Sequence, residues 1–356
     1  MTRAAIARFD QSALTHNLGI IRKTAPNSKV MAVIKANAYG HGIVETAQAL
    51  NGVDAYAVAH LEEAVALRNA GVQKDILLLQ GLLNEDELSA AVKHRLTTCV
   101  HDTAQLDLLE SNTNSALDCW LKIDTGMHRL GIRLQELPTF LSRLAALKHI
   151  GVSTIMSHFA NANVVEDEIN DLQIKRFKQL ALPTGVQRSL ANSAAIFSRA
   201  ESHFDWVRPG ISLYGISPFS DRSAQDLGLK PFMSFESQVI TIKQVKQGES
   251  VGYGALWCAE QDTYIAVIRA GYGDGYPRHA QNGTPVWINN KIFPLAGRVS
   301  MDMISVDLGP TPSVKIGDTA QLWGDKNPIE QVAAMSNTIP YELTCKITQR
   351  VTRHYV

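Results

Sequence analysis

No run of residues in this chain is long and apolar enough to span a membrane. The opening stretch, Met1-Thr2-Arg3-Ala4-Ala5-Ile6-Ala7-Arg8-Phe9-Asp10, lacks the apolar centre of an export signal. An excess of one charge is also missing: 34 Lys and Arg balance 34 Asp and Glu, for a formal net charge of zero. No basic field therefore exists to hold nucleic acid or an anionic membrane. Balanced charge also removes one barrier to self-association. Cysteine is scarce and scattered. Cys99, Cys119, Cys258 and Cys345 form no Cys-x-x-Cys pair, which fits free thiols in a reducing compartment better than a disulfide framework or a zinc site. The eleven histidines show no ligand-spaced cluster, which argues against a metal hydrolase. These absences lead us to expect a cytoplasmic protein with no metal, no nucleic-acid partner and no membrane partner.

What is present is ordinary globular composition. The chain has 356 residues, 45% apolar and 19% charged, enough for two packed domains. Eight short apolar runs, at 30–35, 55–59, 76–80, 97–100, 117–123, 152–157, 188–191 and 207–214, read as strands. Most are continuous rather than alternating, as in strands buried on both faces of a parallel sheet. Helical patterns separate them. The run 61–71 ends on Gly71 at a C-terminal cap, Asn84 sits before an acidic first turn, and 134–147 and 165–182 read as longer helices. Eight β/α repeats in about 200 residues predict a closed (β/α)8 barrel. A doubly wound sheet is the runner-up, but it usually has a glycine-rich turn after its first strand, and none is present.

Beyond residue 226 the helical period fades and short alternating runs appear, at 238–242, 264–268 and 285–288. We expect a barrel over 1–225 and a mostly β domain over 226–356, with 1–9 as a candidate extra strand of the latter. Ser, Asp, Gly and Pro cluster between 217 and 231, where the boundary is expected. A short helix is expected at 327–335.

The densest chemical signal is Val33-Ile34-Lys35-Ala36-Asn37-Ala38-Tyr39-Gly40-His41-Gly42. It puts a lysine at the end of an apolar run, just before a turn-prone, tyrosine-bearing segment. Burial disfavours the charged amine, so such a lysine is paired, snorkels to solvent, or is used. The use that needs a lysine of lowered pKa is Schiff-base formation with a carbonyl, often that of pyridoxal phosphate. Position alone leaves these options open. Barrel active sites lie at the C-terminal ends of the strands. The predicted strand ends carry Lys35, then Lys122-Ile123-Asp124-Thr125-Gly126-Met127-His128-Arg129, then Ser157-His158-Phe159, Ala191-Asn192-Ser193 and Arg208-Pro209-Gly210-Ile211. Their polar side chains thus converge on one mouth, although Asn192 and Ser193 taken singly could simply cap the next helix.

With these blocks in order, the chain resembles the bacterial alanine racemases. The resemblance runs essentially end to end. Further blocks that carry it are Trp206-Val207-Arg208-Pro209-Gly210-Ile211, Val251-Gly252-Tyr253-Gly254, Ala270-Gly271-Tyr272-Gly273-Asp274-Gly275-Tyr276-Pro277-Arg278 and Val299-Ser300-Met301-Asp302-Met303. One departure is Gly273, where many members carry Ala; no functional effect is expected.

The resemblance implies pyridoxal 5'-phosphate as cofactor, in a Schiff base with Lys35. It implies two bases on opposite faces of the substrate Cα, Lys35 and Tyr253, since racemisation removes a proton from one face and returns it to the other. A tyrosine acting near neutral pH needs supporting neighbours, and His158 and Arg208 are the implied chain. Arg208 is the implied partner of the pyridine nitrogen, where many such enzymes use a carboxylate. Tyr39, Asn192, Ser193, Gly210, Ile211 and Tyr341 are implied around the phosphate. Arg129, Met301 and Asp302 are implied at the substrate carboxylate, and Tyr272 in a narrow access corridor. Lys122 matches a position carbamylated in many members. Tyr253, Met301 and Asp302 are expected from the partner subunit of a homodimer with shared sites. The implied reaction is interconversion of L- and D-alanine, supplying D-alanine for peptidoglycan or serving its breakdown. Three other pyridoxal-phosphate readings compete with it. They are a broad-specificity or serine-preferring racemase, a decarboxylase of the same architecture, and a cofactor-binding protein without the β domain.

Overall fold

The computed structural model describes residues 5–111 and 116–356; residues 1–4 of the candidate strand 1–9 lie outside that description. Eight parallel strands close into a barrel, as expected. They are Lys29–Val33, Ala55–Val58, Ile76–Leu78, Thr97–Val100, Leu117–Lys122, Ile150–Met156, Gln187–Asn192 and Trp206–Arg208. Closure is made by Lys29 and Val30 pairing with Trp206 and Val207. Met31, Val33, Ala57, Leu77, Trp120, Met156 and Trp206 fill the barrel interior, so it is a packed floor rather than a pore. The opposite strand faces and the surrounding helices share a second, larger apolar cluster.

Two strand ends differ from the sequence reading. The first strand stops at Val33, so Lys35 opens the turn beyond it rather than ending the strand. The last stops at Arg208, because Pro209 lacks the amide a ladder needs, and Ile211–Tyr214 coils into a 3-10 turn. Local capping accounts for several helix bounds. The Asn84 side chain accepts from Glu87 N at 2.9 Å and starts the helix Glu85–Lys93. The expected helix 165–182 begins only at Glu168, where Asp167 accepts from Ile169 N at 3.0 Å. The expected helix 134–147 is divided into Leu134–Glu136 and Leu137–Ala146.

The second unit is built on an eight-stranded sheet around the long strand Met233–Val245. Ala5–Phe9 joins this sheet, antiparallel to Met233–Val245 and parallel to the last strand, Thr352–Tyr355. The two ends of the chain therefore meet. The helices Ile329–Met335 and Pro340–Cys345 lead back from this sheet toward the barrel mouth. No helix among the described residues is long and apolar enough to cross a membrane.

Phe9 is fully buried where the sheet meets the barrel. Its ring stacks on Tyr355 with centroids 4.7 Å apart and touches Phe232 at 5.4 Å and His41 at 5.8 Å. Phe9→Ala should destabilise the fold by about 3–5 kcal/mol, the usual range for a large ring truncated in a core. A lowered denaturant midpoint would show it; an unchanged midpoint would contradict this account of the junction.

Candidate active site

A cavity of about 1380 Å³ opens at the C-terminal mouth of the barrel. Its wall brings together Lys35, Tyr39, Lys122, Arg129, His158, Asn192, Ser193, Arg208, Gly210, Ile211 and Tyr341. These residues come from the first, fifth, sixth, seventh and eighth strand ends and from the helix Pro340–Cys345.

Lys35 and Tyr39 share one unusual turn. Ala36, Asn37, Ala38 and Tyr39 have φ of 53–54°, the left-handed region, and none of them is glycine. For L-residues this conformation costs roughly 1–2 kcal/mol per residue. It is held by Ala38 N donating to Ile34 O and Gly40 N to Ala36 O, both at 2.9 Å. Asn37 Oδ1 accepts from Ile43 N at 2.9 Å, and Glu63 Oε1 accepts from Asn37 N at 3.3 Å. A left-handed turn lets Lys35 and Tyr39 reach the same cavity from four residues apart. Burial holds the Lys35 amine below its ordinary pKa, and Arg129 adds to this by charge repulsion.

Arg208 lies at the cavity floor, almost wholly buried. Its guanidinium donates to Ser189 Oγ and Ser157 O, both at 2.5 Å, and to Leu190 O at 3.3 Å. It also reaches His158 Nδ1 at 3.4 Å. All of these partners are neutral. Desolvation lowers Arg208 to about 10, which still leaves it charged at neutral pH. Burial, then the charges of Arg208, Lys122, Arg129 and Lys35, push His158 far below its ordinary range. A neutral imidazole explains the contact: its Nδ1 can accept from Arg208, which leaves the proton on Nε2. Lys122 is also lowered, by burial and by Arg208, Arg129 and Lys35, against an opposing contribution from Cys99. Four basic side chains thus share one mouth, two of them, Lys122 and Arg208, buried.

Hydroxyls gather on the other side. Ser193 Oγ accepts from Gly210 N at 2.8 Å and Ser212 N at 3.4 Å. Gly210 is needed there because a Cβ would lie 2.5 Å from the Tyr39 hydroxyl oxygen. The Tyr39 and Tyr341 rings are 5.8 Å apart. Burial raises both phenols, Tyr341 to about 12, so each keeps its proton and can donate. Asn192 has the capping role that the sequence left open: its side chain accepts from Ala195 N at 3.1 Å. It lines the cavity as well.

Arg129 sits on a loop folded around one carboxylate. Asp124 Oδ1 accepts from the backbone of Gly126, Met127 and His128 at 2.9–3.1 Å. Gln173 fastens this loop to the next by donating to Thr125 Oγ1 at 3.1 Å and His158 O at 3.0 Å.

Four expected residues are not among the described residues lining this cavity: Tyr253, Tyr272, Met301 and Asp302. They lie on the surface of the second unit. Tyr253 is 73% and Met301 52% exposed. Tyr272 and Met301 are neighbours, since Gly273 N donates to Met301 O at 2.9 Å. Asp302 pairs with Arg350 at 2.6 Å. Sequence reasoning missed Ser189, whose hydroxyl accepts from Arg208; a polar residue inside an apolar strand was the available signal. It also read 217–231 only as a domain boundary, whereas Ser217, Phe219, Asp221 and Arg222 form part of the cavity wall.

The lowered His158 pKa has a direct consequence. Its ring should stay neutral across pH 5–8, because its folded pKa lies well below the ordinary 6.5. The linked stability term is present above pH 6.5 and lost as pH falls, since the unfolded ring then binds the proton that the folded one refuses. Histidine-labelled NMR should show a flat His158 signal from pH 8 to 5; a midpoint near 6.5 would contradict the electrostatic account.

The chain was compared with known proteins. The profile of the alanine racemase N-terminal domain matches residues 9–218 and that of the C-terminal domain residues 232–355. An alanine racemase from Aeromonas hydrophila is 49% identical over 356 residues, covering 99% of this chain and 100% of the relative. One from Vibrio parahaemolyticus is 49% identical over 355 residues, covering 99% of each chain. Among solved structures, the biosynthetic alanine racemase from Pseudomonas aeruginosa is 42% identical, covers 100% of both chains and superposes with a TM-score of 0.95. With both halves matched and a relative this similar along the whole length, the chain belongs to the alanine racemase family.

Proposed function

We propose that this protein racemises alanine with pyridoxal 5'-phosphate carried on Lys35. The observation that carries the reading is the barrel mouth itself, where four basic side chains and a set of protonated hydroxyls line one cavity. That donor set fits an anionic cofactor and an amino-acid carboxylate together. Tyr39, Ser193, Tyr341, Gly210, Ile211 and Asn192 would hold the phosphate, and Arg208 the ring nitrogen. The chemistry this cofactor supplies when bound is acidification of the substrate Cα–H bond.

The protein's own groups handle the proton. A Lys35 amine of lowered pKa takes up or returns a proton at Nζ on one side of Cα. Tyr253 serves the other side. Arg208 offers donors only and stays charged, so it neither gives up nor accepts a proton in the reaction. Arg129 suits the substrate carboxylate through its guanidinium. Lys122, with its lowered proton affinity, is the candidate for carbamylation, which would turn a cation into an anion beside Arg129. In this reading residues 1–225 bind the cofactor with Tyr341 of the same chain, and 226–356 also supply Tyr253, Tyr272, Met301 and Asp302 to the partner's site in a homodimer. Their exposure in the single chain supports that assignment. Four free thiols support a reducing, cytoplasmic setting.

Chiral analysis tests the activity. Purified protein supplied with the cofactor should convert L-alanine toward an equal mixture with D-alanine. Consumption of L-alanine without D-alanine would move the assignment to decarboxylation. Tyr253→Phe should slow Cα proton removal from L-alanine far more than from D-alanine, measured as exchange with deuterated solvent; equal losses would remove Tyr253 from one face. Mixing Lys35→Ala with Tyr253→Phe subunits should regenerate activity that neither has alone, because a mixed dimer contains one intact site. No recovery after subunit exchange would rule out sharing.

A further inference from the structure

The turn bearing Lys35 is met from behind by the end of the chain. Arg353 Nη1 donates to Gly40 O at 2.8 Å, and the Tyr355 hydroxyl donates to His41 O at 2.8 Å. Both acceptors are carbonyls at the close of the left-handed turn, where the turn's own bonds run out. The same face is packed tightly. Gly40 has φ of 82°, and a Cβ there would lie 2.0 Å from Thr344 O. His41 completes the arrangement. Its Nδ1 donates to Ala38 O at 2.9 Å, inside the turn. Its fully buried ring is stacked between Tyr214, at 4.4 Å, and Phe232, at 5.3 Å.

A run of four left-handed non-glycine residues persists only where its surroundings over-determine it. Part of these surroundings comes from the other end of the sequence. Arg353 and Tyr355 are more than 300 residues from the carbonyls they hold. Neither is among the described residues that line the cavity. Any influence they have on a group bound there therefore passes through the turn.

We infer that the last strand, Thr352–Tyr355, is a positioning element for Lys35 and Tyr39, acting through Arg353 and Tyr355 on the carbonyls of Gly40 and His41. The inference rests on Lys35 as the carrier of pyridoxal phosphate. It makes the second unit act twice: at its exposed face, and here within the same chain, behind the cofactor lysine.

The test uses full-length protein stripped of cofactor and titrated with pyridoxal phosphate, read by absorbance. Borohydride trapping and peptide mapping on the wild type come first. Label on Lys35 upholds the underlying reading, and label elsewhere or none overturns that reading and the inference with it. Tyr355→Phe removes one hydroxyl and keeps the ring stacked on Phe9. Arg353→Met removes the donor to Gly40. Each should weaken cofactor affinity about tenfold, the size of one net hydrogen bond. Arg353→Lys, which can still donate, should restore part of the loss. The unfolding midpoint of the cofactor-free protein separates positioning from stability. Affinity that falls while this midpoint holds supports the inference. Unchanged affinity, or a loss that only tracks the fraction unfolded, overturns it.

Discussion

The site depends on one electrostatic constraint: Lys35, Lys122, Arg129 and Arg208 share one mouth, with Lys122 and Arg208 buried in its wall. Their mutual repulsion is tolerable only if some of them give up protons or if anions arrive. Burial and this repulsion lower the proton affinity of both lysines. Arginine cannot follow, so Arg208 is stabilised instead by Ser157, Ser189 and Leu190, which supply oxygens without charge. The same field keeps His158 neutral. A carboxylate at the floor would have relieved Arg208 and raised its neighbours' proton affinity, and Lys35 would then have been a poorer nucleophile.

Backbone strain is the second element. The left-handed turn after Ile34 is unfavourable by itself and is held by contacts from both sides. Glu63 and the Ile43 amide hold it on the barrel side, and Arg353, Tyr355 and His41 on the other. This ties the barrel to the sheet at the turn that carries Lys35. It also gives a physical reason for the position of Ala5–Phe9 beside Thr352–Tyr355. Phe9 packs on Tyr355 and His41 together, so the first strand supports the last one and the turn beneath it.

In the proposed homodimer, the exposed face of the second unit is the complement of the open mouth. Tyr253, Tyr272, Met301 and Met303 are large side chains left in solvent by the single chain. A soluble domain usually buries or disperses such residues. An arrangement in which this face closes a neighbour's cavity accounts for both the exposed side chains and the wide opening.

The strand count, the barrel and the β character of the second unit were legible in the sequence because they follow from local periodicity. Continuous apolar runs at regular spacing have few other solutions than a buried parallel sheet. The polar strand ends pointed to one mouth for the same reason. Three things were not legible. Lys35 reads as a strand terminus, yet it opens a left-handed turn that is held in part by contacts from Glu63, Arg353 and Tyr355, far away in sequence. Ser189 reads as an ordinary strand residue until the closed barrel aims its hydroxyl at Arg208. The 217–231 segment reads only as a linker and also walls the cavity. By itself the sequence determined which elements form and which chemical groups are available. The tertiary structure decided which of those groups meet and in what charge state, since both depend on burial and on contacts between residues hundreds of positions apart.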